Sequence, residues 1–361
     1  MTLIDEFTES SAVAARVNGL LDDFLRERTT RETHPETRDV LETLRTFTLN
    51  GGKRIRPLFC YWGWRGAADP DAYADTDACA DVVAVAAALE LFHTAALIHD
   101  DIIDNSDVRR GRPTIHRALG TWHAGHGWRG ESGAFGQSGA LLAGNACLVW
   151  SEELFHANPL VARDDRARRL FARLRTSAVY GEFLDLVGEA RGGRLNDALK
   201  IIRHKTASYT VRYPLQIGGA LAGADDTLMK AYDTFGLLLG EAFQLRDDLI
   251  GLFGAPEVTG KDGTDDVRQG KPTALIALAR ELADPRQSAR LDLLYGAPEF
   301  RADDMGALRD VVTATGAPEA IERMIEDRHT DAVRALREAG VERSALAELE
   351  SLAAAAVHRE R

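Results

Sequence analysis

The stretch VVAVAAALELFHTAALIHDDIIDNSDVRRGRPT, Val82 to Thr114, decides how the rest of the chain is read. An apolar segment ends in Asp100, Asp101 and Asp104 and passes into Asp107, Arg109, Arg110 and Arg112. At about 100° per residue Asp100 and Asp104 share one helical face, continued toward the N-terminus by His93 and Ala96, whereas Asp101 points about 100° away. Two carboxylates therefore end a greasy helical wall. The segment is long enough to raise a membrane span. Glu90, His93 and Thr94 lie inside it and Asp81 and Asp100 flank it, which is costly in lipid and ordinary in a core helix.

Outward from this stretch the pattern is helical. No period-two alternation of β-branched residues stands out, so the expectation is an all-α chain, one large helical bundle around a central cavity. With 361 residues and no composition break, a single domain spanning 1–361 is expected. A helix reaching Glu27 is followed by a polar connector, and a second, Asp39 to Phe47, stops at Asn50, Gly51 and Gly52, with Lys53, Arg54 and Arg56 just beyond. Gly120 to Gly139, rich in Gly and carrying Trp122, His123, His126 and Trp128, reads as a long mobile loop at about 120–139. A lid loop is expected at about 254–272, followed by further helices.

Composition narrows the chemistry. A net charge of -12, from 44 Lys and Arg against 56 Asp and Glu, offers no basic excess for a nucleic-acid partner. Three widely spaced cysteines, Cys60, Cys79 and Cys147, suit reduced thiols and a cytoplasmic setting. The acidic N-terminal stretch lacks the pattern of a secretory signal, and no membrane span is expected.

An isolated acidic triplet is ordinarily a solvated helix end. A second group changes that reading, because Gln244, Asp247 and Asp248 close another apolar helix, Phe235 to Ile250. Opposed carboxylate clusters repel when empty, and hard oxygen ligands suit Mg²⁺ together with substrate phosphates. Basic residues come in four short groups: Lys53 with Arg56; Arg109, Arg110 and Arg112; Lys205 with Thr206; Lys261 with Lys271. Arg forks and Lys point charges are common phosphate partners. A Walker loop is excluded at Gly254 to Asp262, where Ala255 and Asp262 replace the required Gly and Ser or Thr. His123 and His126 lack a third ligand for zinc.

Taken together these motifs resemble the trans-prenyl diphosphate synthases of the polyprenyl synthetase family, over nearly the whole length. Gly51 to Pro57 is similar to the family's homoallylic diphosphate loop, Asp100 to Asp104 with Arg109 to Thr114 to its first aspartate-rich motif, and Phe243 to Asp248 to its second. Gly260-Lys261 and Gly270 to Thr273 resemble its lid. The resemblance implies that Lys53, Arg56, His93 and Arg110 hold isopentenyl diphosphate. Arg109, Lys205, Thr206, Gln244, Lys261 and Lys271 would surround an allylic diphosphate, with Asp100, Asp104 and Asp247 ligating three Mg²⁺. The implied reaction is ionisation, condensation and elimination, with the Lys205 carbonyl and Thr206 hydroxyl beside the cation, in a homodimer.

The chain departs from the pattern at Gly251, where a third Asp is common, at Asn145, where an Asp is common, and at Glu182, where a Gln is common. In the family the fifth residue before the first motif, here Ala95, lies on the floor of the product tunnel. The helical wheel selects Ala96 instead. Both are small, with bulk returning at Phe92 and Leu89, so the expected product is longer than farnesyl diphosphate, geranylgeranyl diphosphate first and a longer chain second. A class I terpene cyclase would not need the second diphosphate site, and a non-catalytic subunit of a heteromeric synthase would not need an intact first motif.

Overall fold

The computed structural model describes residues 9–68, 76–254, 264–297 and 299–358. The only strands among them form a two-stranded hairpin. The backbone divides into two compact units, Met1–Arg169 with Ile217–Ala224, and Leu170–Gln216 with Asp225–Arg361.

In the first unit α1 (Glu9–Arg31) buries Val13, Val17, Leu21 and Leu25, a stripe repeating every four residues. Helix α2 (Pro35–Leu49) ends before Gly51 and Gly52, whose φ values of +67° and +91° continue no helix. Helix α3 (Ile55–Arg65) is buried on every side from Pro57 to Trp64. It packs on α4 (Thr76–Ile103), the long apolar helix of the opening stretch. On length and hydropathy alone α4 could cross a membrane, yet its apolar stretch is 72% buried within the protein. Glu90, buried in the middle of this helix, is neutralised by Arg54, Nη1 to Oε1 2.6 Å.

The expected loop at 120–139 is instead a helical hairpin. Helix α5 (Ile115–Gly125) and α6 (Ser132–His156) leave 126–131 as the connection. The glycines that suggested a loop serve close approach. A Cβ on Gly136 would lie 2.1 Å from the His116 carbonyl oxygen, and one on Gly139 would lie 2.8 Å from Leu119 Cδ1. Helix α7 (Pro159–Arg163) then turns the chain into α8 (Asp165–Arg191).

In the second unit α9 (Leu195–Ile202) runs into a π-helical segment, Arg203–Arg212, and on into α10 (Tyr213–Leu221), whose residues from Ile217 onward are counted with the first unit. Helix α11 (Asp226–Phe253) buries Tyr232, Phe235, Leu239, Leu245 and Leu249 against this segment and against α16 (Ala317–Glu338). Burying each such side chain stabilises by about 1.5–3 kcal/mol. Between them come α12 (Thr264–Gln269), α13 (Ala274–Leu282), α14 (Pro285–Leu294) and α15 (Met305–Ala314). Helix α17 (Arg343–Val357) closes the described chain on α16 and α11.

Candidate active site

In the first unit the basic loop after α4 is a hairpin, β1 (Val108–Arg109) against β2 (Arg112–Pro113). Arg110 and Gly111 form its turn with φ +52° and +73°, the two left-handed positions a tight hairpin turn requires. For Arg110 that conformation is strained, and its guanidinium compensates by donating to the Asn50 carbonyl at 2.9 Å and to Gly51 at 3.3 Å. The hairpin and the Gly51-Gly52 loop are thus tied, and a Cβ on Gly52 would lie 2.9 Å from Arg110 Nη2.

Arg54, also left-handed at φ +50°, is buried and structural. Besides Glu90 it donates Nε to Asn18 Oδ1 at 2.7 Å and Nη2 to the Thr48 carbonyl at 3.0 Å. This leaves Lys53 exposed and Arg56 half-buried on the same loop. Burial, then the charges of Arg56, Arg110, Arg109 and Arg54, hold His93 well below the usual imidazole range, so it is a neutral ring among cations. Three of the four residues expected at one diphosphate site, Arg56, His93 and Arg110, therefore share one electrostatic neighbourhood, and Lys53 stands at its exposed edge.

Arg109 spans the first acidic motif, Nη2 to Asp100 Oδ2 at 2.9 Å and Nε to Asp101 Oδ1 at 2.7 Å. Burial works against its charge, but Asp101, Asp100 and Asp104 outweigh it and the pKa is raised. Asp101 is fully buried and Asp100 and Asp104 are partly exposed, so only the latter two can receive a metal from solvent. A cavity of about 470 Å³ opens beside the hairpin, lined by Asn50, Arg109, Arg110, Arg112, Phe47 and Trp122 among others. Ala95 is buried in a packed cluster with Leu44, Ile98, Leu119 and Cys147, while Ala96 is partly exposed. Phe92 and Leu89 are buried one and two turns before.

In the second unit the π-helical segment carries Lys205 and Thr206. Three glycines admit its backbone: a Cβ on Gly181 of α8 would lie 2.3 Å from Lys205 N, one on Gly240 2.3 Å from Ala207 Cα, and one on Gly236 2.3 Å from Arg212 Cα. Lys205 Nζ pairs with Asp185 Oδ2 at 2.6 Å and Glu182 Oε2 at 3.1 Å. The Thr206 hydroxyl donates to Gln244 Oε1 at 2.8 Å, and Gln244 Nε2 donates to Asp248 Oδ1 at 3.0 Å.

In the second motif Asp248 Oδ2 accepts the Ala274 N–H at 2.9 Å, so both its oxygens serve protein groups, and burial pushes its carboxyl up to about 7. Asp247, like Asp248, is half-buried on α11. Lys271, half-buried, follows α12, with its carbonyl accepting from Tyr295 Oη at 2.6 Å. Lys261 lies outside the described residues. Gly251 is exposed, with open space where a third carboxylate would stand, and Asn145 is exposed on α6.

The donor chemistry fits Mg²⁺: oxygen ligands only, at helix ends with room for water. The fold is all-α, and each unit carries an acidic motif or acid pair engaged by a basic side chain, Arg109 on Asp100 in the first and Lys205 on Asp185 in the second. A family model, polyprenyl synthetase, matches residues 38–312. A geranylfarnesyl diphosphate synthase of Aeropyrum pernix is 30% identical over 74% of this chain and 77% of its own length. A farnesyl diphosphate synthase of Geobacillus stearothermophilus is 34% identical over 63% and 72%. Among solved structures, a geranylgeranyl pyrophosphate synthase of Corynebacterium glutamicum, complexed with isoprenyl diphosphate and magnesium, superposes with a TM-score of 0.87 at 34% identity, covering 97% of this chain and 98% of that one. The chain belongs to the polyprenyl synthetase family and is a trans-prenyltransferase of that family. Family members use isopentenyl and allylic diphosphates and depend on Mg²⁺.

Sequence reasoning missed Asp185, the Arg54–Glu90 pair and the glycines beneath the π-helical segment. Of these, Gly181, directly preceding Glu182 in a helical pattern, carried a signal: an isolated glycine within a helix marks close approach.

Proposed function

We propose that the chain condenses isopentenyl diphosphate with an allylic diphosphate and releases mainly geranylgeranyl diphosphate. The observation carrying the product length is the small pair Ala95-Ala96 one turn before Asp100, with the bulk of Phe92 and Leu89 beyond it. A longer polyprenyl diphosphate is the second reading, favoured by the partly exposed surface of Ala96.

In this reading Asp100, Asp104 and Asp247 ligate Mg²⁺, three ions per site, which when bound withdraw charge from the leaving diphosphate. Lys53, Arg56, His93 and Arg110 hold isopentenyl diphosphate, and His93, neutral among cations, donates an N–H without adding charge. Arg109, Lys205, Gln244, Lys261 and Lys271 take the allylic diphosphate. Arg109 leaves Asp100 as it does so, since one guanidinium cannot serve both fully. The allylic C–O bond breaks with its electron pair on the diphosphate, the isopentenyl double bond attacks the cation, and the released diphosphate takes the proton. The Lys205 carbonyl and Thr206 hydroxyl stabilise partial positive charge, while apolar walls exclude water.

The family match runs through both compact units, which supports a single catalytic domain. A homodimer is supported by the apolar surfaces of α6 (Leu141, Leu142 and Val149) and α8 (Val179, Tyr180 and Phe183), each more than half exposed. The unpaired Cys60, Cys79 and Cys147 support a cytoplasmic setting. Purified chain, alone with Mg²⁺, labelled isopentenyl diphosphate and an allylic primer, is expected to yield linear prenyl diphosphates. Cyclic hydrocarbon from the primer alone would mean a terpene cyclase, and inactivity without a second protein would mean a subunit of a heteromeric synthase.

A further inference from the structure

Helix α16 and the end of α17 carry a second group of ligating side chains that the prenyl transfer does not use. Glu326 and His329 lie three residues apart on one face of α16, and His358 directly follows α17. One ligand atom from each of the three lies within 4.8 Å of the others. Glu326 Oε1 is 3.8 Å from His358 Nδ1, and the two imidazoles meet edge to face with centroids 5.6 Å apart. Glu326 and His358 are exposed, whereas His329 Nε2 is buried and has no hydrogen-bond partner among the described residues. Burial and the neighbouring His358 hold His329 below the usual imidazole range, in the neutral form that offers a lone pair.

We propose that Glu326, His329 and His358 bind a borderline divalent transition metal of the Zn²⁺ or Co²⁺ kind, at a site distinct from the Mg²⁺ ligands. Two imidazoles and one carboxylate suit such ions, while Mg²⁺ favours all-oxygen octahedral sets. Tetrahedral bonds of about 2.0–2.2 Å place ligand atoms roughly 3.3–3.6 Å apart. Rotation of the two exposed side chains closes the present spread onto that distance and leaves a fourth position to water.

The site is wired to the second aspartate motif. Arg246, next to Asp247, donates Nη1 and Nη2 to Glu322 at 2.6 Å each, one turn before Glu326, and Nε to the carbonyl of Val357 at 2.6 Å, the residue before His358. A metal joining α16 to the end of α17 therefore clamps both acceptors of Arg246.

The test is Co²⁺ titration of the full-length protein in excess Mg²⁺. Tetrahedral Co²⁺ absorbs strongly in the visible, and octahedral Co²⁺ at all-oxygen ligands absorbs weakly. Wild type is expected to show a strong band saturating at one equivalent and a raised thermal midpoint. His329→Ala and His358→Ala are each expected to lose both responses while keeping the helical circular dichroism of the wild type. His358 is exposed at a helix end, so its variant folds even where His329→Ala does not. No strong band in wild type, or the same band in His358→Ala, would overturn the proposal.

Discussion

Glu90→Gln keeps the shape of a fully buried side chain and removes its charge. Its partner Arg54 has 2% of its side chain exposed, and Glu90 has 4%. The guanidinium would keep its bonds to Asn18 and the Thr48 carbonyl and lose the buried counter-charge it is paired with. Breaking one side of a buried ion pair costs about 3–5 kcal/mol, because the remaining charge stays desolvated. With an unfolding entropy of about 2.1 cal/mol/K per residue, a protein of this size loses roughly 4–7 °C in thermal midpoint. Function moves with it, since Arg54 fixes the turn that carries Lys53 and Arg56, so KM for isopentenyl diphosphate is expected to rise more than kcat falls. Arg54→Met with Glu90→Leu removes both charges and should recover most of the stability but not the KM. Thermal unfolding followed by circular dichroism, with initial rates at varied isopentenyl diphosphate, reads both quantities. A Glu90→Gln protein within about 1 kcal/mol of wild type with unchanged KM would refute the reasoning, since that loss is typical of a surface pair.

Ala96→Phe, on the partly exposed side of α4, is expected to shorten the product. Ala95→Phe, forced into a packed cluster, should instead destabilise by about 1–3 kcal/mol; product sizing and melting of both variants separate the two residues, and an unshortened Ala96→Phe product removes it from the tunnel floor. Gly240→Ala, whose Cβ would meet Ala207 Cα at 2.3 Å, must displace the segment holding Lys205 and Thr206, so kcat should fall at least tenfold, about 1.4 kcal/mol of barrier; an unchanged kcat in a folded variant contradicts this. His93 has a folded pKa below that of the unfolded chain. The unfolded state therefore takes up the proton first, and stability falls as pH drops below about 6.5, by at most about 1.4 kcal/mol per pH unit from this residue. His93→Gln should flatten that slope between about pH 6.5 and 5, and equal slopes in urea melts would count against the neutral ring.

Most of the candidate site was proposed from the chain because its acids and bases occur in short clusters at the ends of apolar helices, and spacing alone puts Asp100 and Asp104 on one face. What escaped depends on contacts between distant residues. Glycine signals both mobility and close approach, and only the partner decides: Gly136 and Gly139 read as a loop until the backbone of α5 at His116 and the Leu119 side chain are beside them. The π-helical segment has no composition of its own, and Gly181, Gly236 and Gly240 reveal it only through what a Cβ would strike. Likewise Arg54 and Arg56 look equivalent in sequence, yet Arg54 is committed to Glu90, just as Asp248 is committed to Gln244 and Ala274.

The reading of the site stands or falls most directly on the chain length of the product. Purified protein incubated with labelled isopentenyl diphosphate, Mg²⁺ and dimethylallyl, geranyl or farnesyl diphosphate in turn, with the products sized, is predicted to give mainly geranylgeranyl diphosphate from every primer; a predominantly farnesyl product would contradict it.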